Sequence, residues 1–318
     1  MIGIIINNYY YKCSHNLKFF LLLLIVGCAD NLSHYDINNI YSNFDSDSTL
    51  TVVTWNIEWF PKHENTISYL SELIFKINAD IYGLQEIANW DDFNTLIDNI
   101  NLLDSKSEWK GFIVEQNAYQ ELAYIVKVSS VNINENPYTI LNEYANYFAY
   151  REPYVLEFSF NNSEYIIINN HYKCCGDGYL GSNSNDEEYR RNEATKYLKN
   201  YVDTNFMNEK IIIIGDLNDE LNDPLSNNVF NSILIDSLNY MFVDLDIANG
   251  NSINWSYPTW PSHLDHIIIS NELFNVFYNN GSSALTIFAE DYFSGGWNEY
   301  DRYISDHRPV GLKLTFTE

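Results

Sequence analysis

The stretch that most constrains this chain is IIIIGDLNDE, from Ile211 to Glu220. Four consecutive β-branched residues predict a strand buried on both faces. Gly215 then allows the backbone to turn, and Asp216, Leu217, Asn218 and Asp219 follow at its carboxyl end. Residues two apart on a strand point the same way, so Asp216 and Asn218 are expected to project together while Leu217 returns to the core. A carboxylate beside a carboxamide at the open end of a buried strand suits water activation and phosphate contact. The same residues also fit a strand that ends in an Asx-rich turn, so the rest of the chain has to decide.

Strand patterns recur on either side. LTVVTWNIEWF (50–60) nearly alternates and ends with Asn56 and Glu58 two apart. Residues 79–86 read as a short buried strand ending on Gln85 and Glu86, and residues 109–115 and 121–127 as two strands around a short turn. Residues 154–160 and 165–170 read as a hairpin across Asn161-Asn162-Ser163, with His171 at its end. Residues 264–270, 284–289 and 309–316 supply three further strands. Apolar spacing predicts a helix over 64–78, and residues 91–103 and 187–206 read as two more, the last after a polar loop from Cys174 to Asn185. Many strands, several hairpins and interspersed helices imply two sheets packed together with helices outside, an α/β or α+β architecture. No linker-like stretch interrupts residues 50–318, which read as one domain.

Lys12 and Lys18, an apolar run from Phe19 to Val26, and then Gly27-Cys28 describe an export signal over residues 1–28. Ile25-Val26-Gly27-Cys28 resembles the lipobox of bacterial lipoproteins, which makes Cys28 the expected lipidated residue; an ordinary signal peptide is the alternative. Residues 29–49, rich in Asn, Asp and Ser, read as a polar tether. No apolar span is long enough for a membrane helix. The formal charge of −26 disfavours tight, salt-dependent gripping of DNA, though not a nuclease whose metal ions contact phosphate locally. Cys174 and Cys175, adjacent in sequence, form no disulfide framework and read more readily as reduced thiols than as a strained ring.

Asn56, Glu86, His171, Asp216 with Asn218, and Asp306 with His307 fall at five strand ends, and Asp265 at the start of a sixth strand. Separate strand ends can each position one or two groups rigidly. The stretches TWNIEWF (54–60), GLQEI (83–87), REP (151–153), NNH (169–171), GDLND (215–219), LDHI (264–267) and SDHRPV (305–310) occur in this order. In that set the chain resembles the endonuclease/exonuclease/phosphatase superfamily, whose fold is that of deoxyribonuclease I. The resemblance implies a four-layer sandwich of two mixed β-sheets flanked by helices.

Residue by residue, the resemblance implies that Glu86, helped by Asn56 and Asp306, binds Mg²⁺ or Mn²⁺. It implies that Asp216 orients or deprotonates the attacking water, and that Asn218 and Arg151 contact phosphate. His307 would donate to the transition state, while His171, paired with Asp265, would act as acid for the leaving oxygen. Glu115 is the candidate for orienting the last histidine. The fold leaves room for a structural Ca²⁺ whose ligands the sequence does not give. Aromatics before Asp265 (Tyr257, Trp260) and before Asp306 (Trp297, Tyr300, Tyr303) would either stack on substrate or close the sandwich edge.

The expected activity is metal-dependent phosphodiester hydrolysis, foremost of nucleic acid by a deoxyribonuclease I-like endonuclease. Phospholipid headgroups or inositol phosphates are the alternative substrates, and a non-catalytic surface binding module on the same fold is the alternative class. The expected setting is export with an N-terminal lipid anchor in a bacterial membrane, on the periplasmic or cell-surface face, as a monomer.

Overall fold

A computed structural model describes residues 48–115 and 119–316. The signal segment, Cys28 and nearly all of the tether lie outside the described residues. One sheet is built from β1 (Thr49–Phe60), β2 (Ile81–Ile87), β3 (Trp109–Ile113), β4 (Glu121–Lys127), and two late strands, β12 (Ser283–Thr286) and β13 (Val310–Thr315). Its order is β12-β13-β1-β2-β4-β3. The second sheet takes β5 (Asn132–Ile133), β6 (Tyr138–Thr139), β7 (Tyr154–Phe160), β8 (Ser163–His171), β9 (Ile211–Asp216), β10 (Tyr240–Phe242) and β11 (Asp265–Ser270). Its order is β10-β11-β9-β8-β7-β5, with β6 also on β7. Both sheets are mixed: β1–β2 and β8–β9 run parallel, and the other pairings run antiparallel.

Alternation along the strands builds the layers. In β1, Leu50 and Val52 enter the core between the sheets, while Val53, Trp55 and Ile57 face the helices α1 (Thr66–Ile77) and α2 (Trp90–Leu103). In β9, Ile212 and Ile214 face inward, and Ile211 and Ile213 meet α3 (Glu187–Asn205) through Ala194, Leu198 and Val202. The organising strand is thus apolar on both faces because each face has a covering layer. Helix ends follow local chemistry. The Asn89 and Asp186 side chains cap α2 and α3, and Asn78 closes α1 in the left-handed conformation.

Elements differ from the sequence reading mainly at their ends. The strand expected over 284–289 stops at Thr286, and that over 109–115 stops at Ile113. Strands β5, β6 and β10 are additions; at two or three residues each they are too short to carry a periodicity in the sequence. Among the described residues no helix is long and apolar enough to cross a membrane.

Polar side chains tie the two sheets at one end. The Gln85 Nε2 donates to Asn169 Oδ1 at 2.7 Å, and Asn169 Nδ2 donates to the carbonyls of Leu84 and Ala123. Tyr124 in the first sheet donates to the Tyr154 carbonyl and accepts from the Asn169 N–H in the second. These groups are fully buried, so each bond satisfies an atom that water cannot reach.

The same topology gathers the polar strand ends. Because β1 and β2 are parallel, Asn56 and Glu86 end at one edge; because β8 and β9 are parallel, His171 pairs in register with Asp216. Strand β11 runs the other way, so it is its first residue, Asp265, that lies beside Asp216. Strand β13 is antiparallel to β1, which brings the residues just before it, Asp306 and His307, to the same edge.

Candidate active site

A cleft of about 380 Å³ opens at that edge and is lined by Asn56, Glu58, Glu86, His171, Asp216, Asn218, Asp306 and His307. The backbone bends sharply to present them. Glu58, Trp59 and Glu86 have φ of 34°, 49° and 69°, the left-handed region that non-glycine residues seldom occupy. A register shift between Asn56 and Phe60 accommodates this bend. Asn218 is also left-handed, at φ 54°. Strand β9 has already ended at Asp216, so a turn places Asn218 in the cleft and strand alternation does not. Leu217 is buried as expected.

Asp216 stands between two imidazoles. Its Oδ2 lies 3.5 Å from His171 Nε2 and 3.9 Å from His307 Nε2, and it accepts from Asn56 Nδ2 at 2.9 Å. Burial raises its affinity for a proton, opposed by His307 and reinforced by Asp265. The pairing expected between His171 and Asp265 does not form. Asp265, fully buried, instead bonds His307 Nδ1 at 2.7 Å. Burial works against a charge on His307, but the Asp265 and Asp216 carboxylates outweigh it and hold the imidazole charged well above its ordinary range. His171 is shifted the other way, first by burial and then by Arg151, His307 and Lys173, so its ring is neutral. The acid role implied for His171 needs a raised value, and the structure gives a lowered one.

Glu86 receives the Trp59 N–H at 3.0 Å and Asn56 Nδ2 at 3.2 Å. The metal-binding role implied for Asn56 does not fit: its amide oxygen accepts the Glu58 N–H at 3.0 Å and its nitrogen faces Glu86 and Asp216. An amide ligates through oxygen, so Asn56 braces the carboxylates and does not face a cation. Glu58, which the sequence reading pairs with Asn56 but gives no role, lies in the cleft. It accepts the Asp306 N–H at 3.0 Å and is held by Lys62. Burial, partly offset by Lys62 and reinforced by Asp306, raises its proton affinity. Its spacing from Asn56 is the signal for it.

Neither Arg151 nor Glu115 lines the cleft. The Arg151 guanidinium donates to Gln120 Oε1 and to the Tyr172 carbonyl, and its Nε is buried without a partner. It is half-buried and close enough to feel Glu86 and Asp216 and to lower the proton affinity of His171. Glu115 is exposed and lines a different cavity, next to Tyr154. Asp265 does the orienting. The strand preceding Glu115 ends at Ile113, too early to carry its side chain to the site.

The aromatics divide between the two roles open to them. Trp59 and Trp260 line the cleft while 53% and 77% exposed, and the Tyr257 ring lies 4.8 Å from His307. Tyr300 is instead buried, accepting from Trp55 and donating to the His307 carbonyl, and Trp297 packs near it and over Arg308. Cys174 and Cys175 both line the cleft as free thiols with sulfurs 2.9 Å apart.

Solved structures share this fold at low identity. D. rerio TDP2 complexed with single-strand DNA product matches with a TM-score of 0.59 at 14% identity, over 84% of this chain and 99% of that one. The human Nocturnin catalytic domain matches with a TM-score of 0.58 at 17% identity, over 85% and 94%. An endonuclease/exonuclease/phosphatase family protein from Bacteroides thetaiotaomicron matches with a TM-score of 0.55 at 14% identity, over 85% and 98%. No curated protein matches the chain in sequence. The family model described as "Endonuclease/Exonuclease/phosphatase family" matches residues 53–307, a span that holds every cleft residue named above, and the chain belongs to that family.

Proposed function

We propose that this protein is a metal-dependent phosphodiesterase that cleaves nucleic acid as an endonuclease. Its family comprises hydrolases of phosphodiester bonds. The observation that carries the reading is the Asp265–His307 pair aimed at Asp216 in a cleft that also holds Glu58, Glu86 and Asp306. Four carboxylates in one cleft repel a phosphate anion unless a cation intervenes. Glu86, Asp306 and Glu58 offer hard carboxylate oxygens, which fits Mg²⁺ or Mn²⁺ held by these three residues. Such an ion, when bound, polarises the phosphoryl group and stabilises its developing charge.

The chain's own groups do the rest. Asp216, buried and proton-avid, accepts the proton of an attacking water. His307, kept charged by Asp265, offers Nε2–H to a non-bridging oxygen. Neutral His171 offers its Nε2–H as a hydrogen-bond donor toward the phosphate or the leaving oxygen, and Asn218 donates its amide N–H to a phosphate oxygen. The exposed Trp59 and Trp260 supply flat faces for unstacked bases. A protein of the same fold, D. rerio TDP2, holds a single-strand DNA product.

The purified chain, incubated with single- and double-stranded DNA and with RNA, with Mg²⁺ or with EDTA, tests this. Absence of metal-dependent cleavage of every polymer removes the nuclease reading. The charge of −26 favours a small phosphodiester over a long polyanion. Turnover of sphingomyelin or inositol phosphates with none of nucleic acid would establish that second reading. Export and lipid attachment at Cys28 rest on the leader sequence alone. Fatty-acid labelling that survives Cys28→Ala overturns the attachment at Cys28.

A further inference from the structure

The loop that leaves the cleft after His171 ends in a second acidic cluster unrelated to the chemistry above. One carboxylate oxygen from each of Asp177, Asp186 and Glu188 lies within 4.8 Å of the other two. Asp177 is exposed, Asp186 is half-buried, and Glu188 is only 2% exposed. Acids at the start of α3 suit the helix dipole, and Asp186 Oδ1 caps the helix through the Tyr189 N–H. That does not account for Glu188. Its Oε1 accepts the Gly178 N–H at 2.6 Å and lies 3.3 Å from Arg191 Nη2. Its Oε2 is buried with no hydrogen-bond partner. A buried carboxylate oxygen without a donor is costly, and more so with two further carboxylates beside it.

The nearby cations are engaged elsewhere. Arg191 is shared with Asp219 and with the Lys173 and Cys175 carbonyls, and Lys173 approaches Glu187 at 4.0 Å. The loop backbone is fitted tightly over the acid: a Cβ at Gly176, where φ is 116°, would fall 2.1 Å from Glu188 Oε1. Asp177 Oδ1 is taken by the Tyr179 N–H, which leaves its second oxygen free of the backbone bonds described, as Asp186 Oδ2 also is.

We propose that Asp177, Asp186 and Glu188 form a cation site distinct from the cleft, built for Ca²⁺. Carboxylates from an irregular loop and the start of α3 give hard oxygens without octahedral regularity, and loop carbonyls and water can complete about six to eight positions, which suits Ca²⁺ better than Mg²⁺. The site cross-links the loop to the first turn of α3. Because Cys174 and Cys175 of that loop line the cleft, the cation braces one cleft wall from behind.

The test uses the full chain, stripped of metal by EDTA, and measures Ca²⁺ binding calorimetrically together with the unfolding midpoint. Glu86→Gln removes a carboxylate from the cleft so that binding there does not mask the loop. This variant should still bind one Ca²⁺ and unfold at higher temperature in its presence. Adding Asp177→Asn and Asp186→Asn, which preserves a capping side chain, should weaken that binding at least tenfold and abolish the shift. Asp177→Asn alone, at an exposed position that leaves the core intact, should weaken it in the same direction. No Ca²⁺ binding by Glu86→Gln overturns the proposal, as does binding unchanged by the loop substitutions, or a shift that Mg²⁺ produces equally well. None of these readouts depends on the cleft being a nuclease.

Discussion

Asp265 and His307, 42 residues apart in sequence, share a 2.7 Å hydrogen bond, and the imidazole held this way points its other nitrogen at Asp216. Asp265 is fully buried, so its charge acts on His307 with little screening by water. His171, on the opposite side of Asp216, has no carboxylate bonded to Nδ1, which is buried without a partner. Two histidines facing one aspartate are therefore held in opposite protonation states.

Asp265→Asn keeps the shape of the pair and removes its charge. Turnover should fall by about 10²–10⁴-fold, the range for loss of a positioned acid–base or charge-stabilising group. The circular dichroism spectrum should be unchanged. Steady-state rates decide it: a loss of less than about threefold takes His307 out of the reaction.

His171→Gln should also lower turnover without unfolding the chain. Because His171 is held neutral, its ionisation should not appear between about pH 6 and 8, where an ordinary imidazole titrates. The pH–rate profiles of wild type and variant should run parallel. A limb present in the wild type and missing from the variant would show that His171 titrates after all.

Gln85→Leu leaves Asn169 Oδ1 without its donor between the two sheets. The expected cost is about 1–3 kcal/mol, the penalty for an orphaned buried group. The melting temperature should drop by about 2–4 °C for each kcal/mol lost. Gln85→Leu with Asn169→Leu should cost less than the sum of the two single changes. Strict additivity would mean that the bond does not couple them.

Asp244 receives both His263 Nε2 at 3.1 Å and His266 Nδ1 at 2.6 Å, while His266 Nε2 donates to the Asp219 carbonyl. His263 Nδ1 accepts the Ser256 N–H, so its proton lies on Nε2 and the cluster is a hydrogen-bonded ion pair and not a metal cage. His266 is raised above its ordinary value: burial opposes the charge, but Asp244 outweighs it. Its contribution is complete below about pH 6.5, the unfolded value, and is lost as pH rises through the folded one. Asp244, depressed because the two histidines outweigh its burial, contributes above the carboxylate range and loses its share as pH falls. His266→Gln should cost about 3–5 kcal/mol below about pH 6.5 by removing a charged partner from a buried carboxylate, and the gap to wild type should narrow as pH rises above that value. A gap that widens with pH contradicts this assignment.

Much of the site was legible because it is a property of strand ends. The run Ile211–Ile214 could only be a strand covered on both faces, and the residues after such a strand must emerge at its open end. Asp216 and His171, the last residues of β9 and β8, are placed by that logic. The sequence also determined which residue types were present: oxygens and imidazoles at strand ends, with no cysteine–histidine set to favour a softer metal.

Tertiary structure alone decided who pairs with whom. Along the chain His171 and His307 are both open to Asp265; the register of β11 sets Asp265 beside Asp216, and the packing of the segment before β13 brings His307 to it. The rotation of the Asn56 amide, the bends that bring Glu58 and Glu86 into the cleft, and the tethering of Arg151 to Gln120 and the Tyr172 carbonyl come from bulges, left-handed residues and competing hydrogen bonds. A strand pattern carries a period of two and nothing about its neighbours. Register, charge state and hydrogen-bond choice exist only once distant segments are packed together, because each is set by the nearest groups in space.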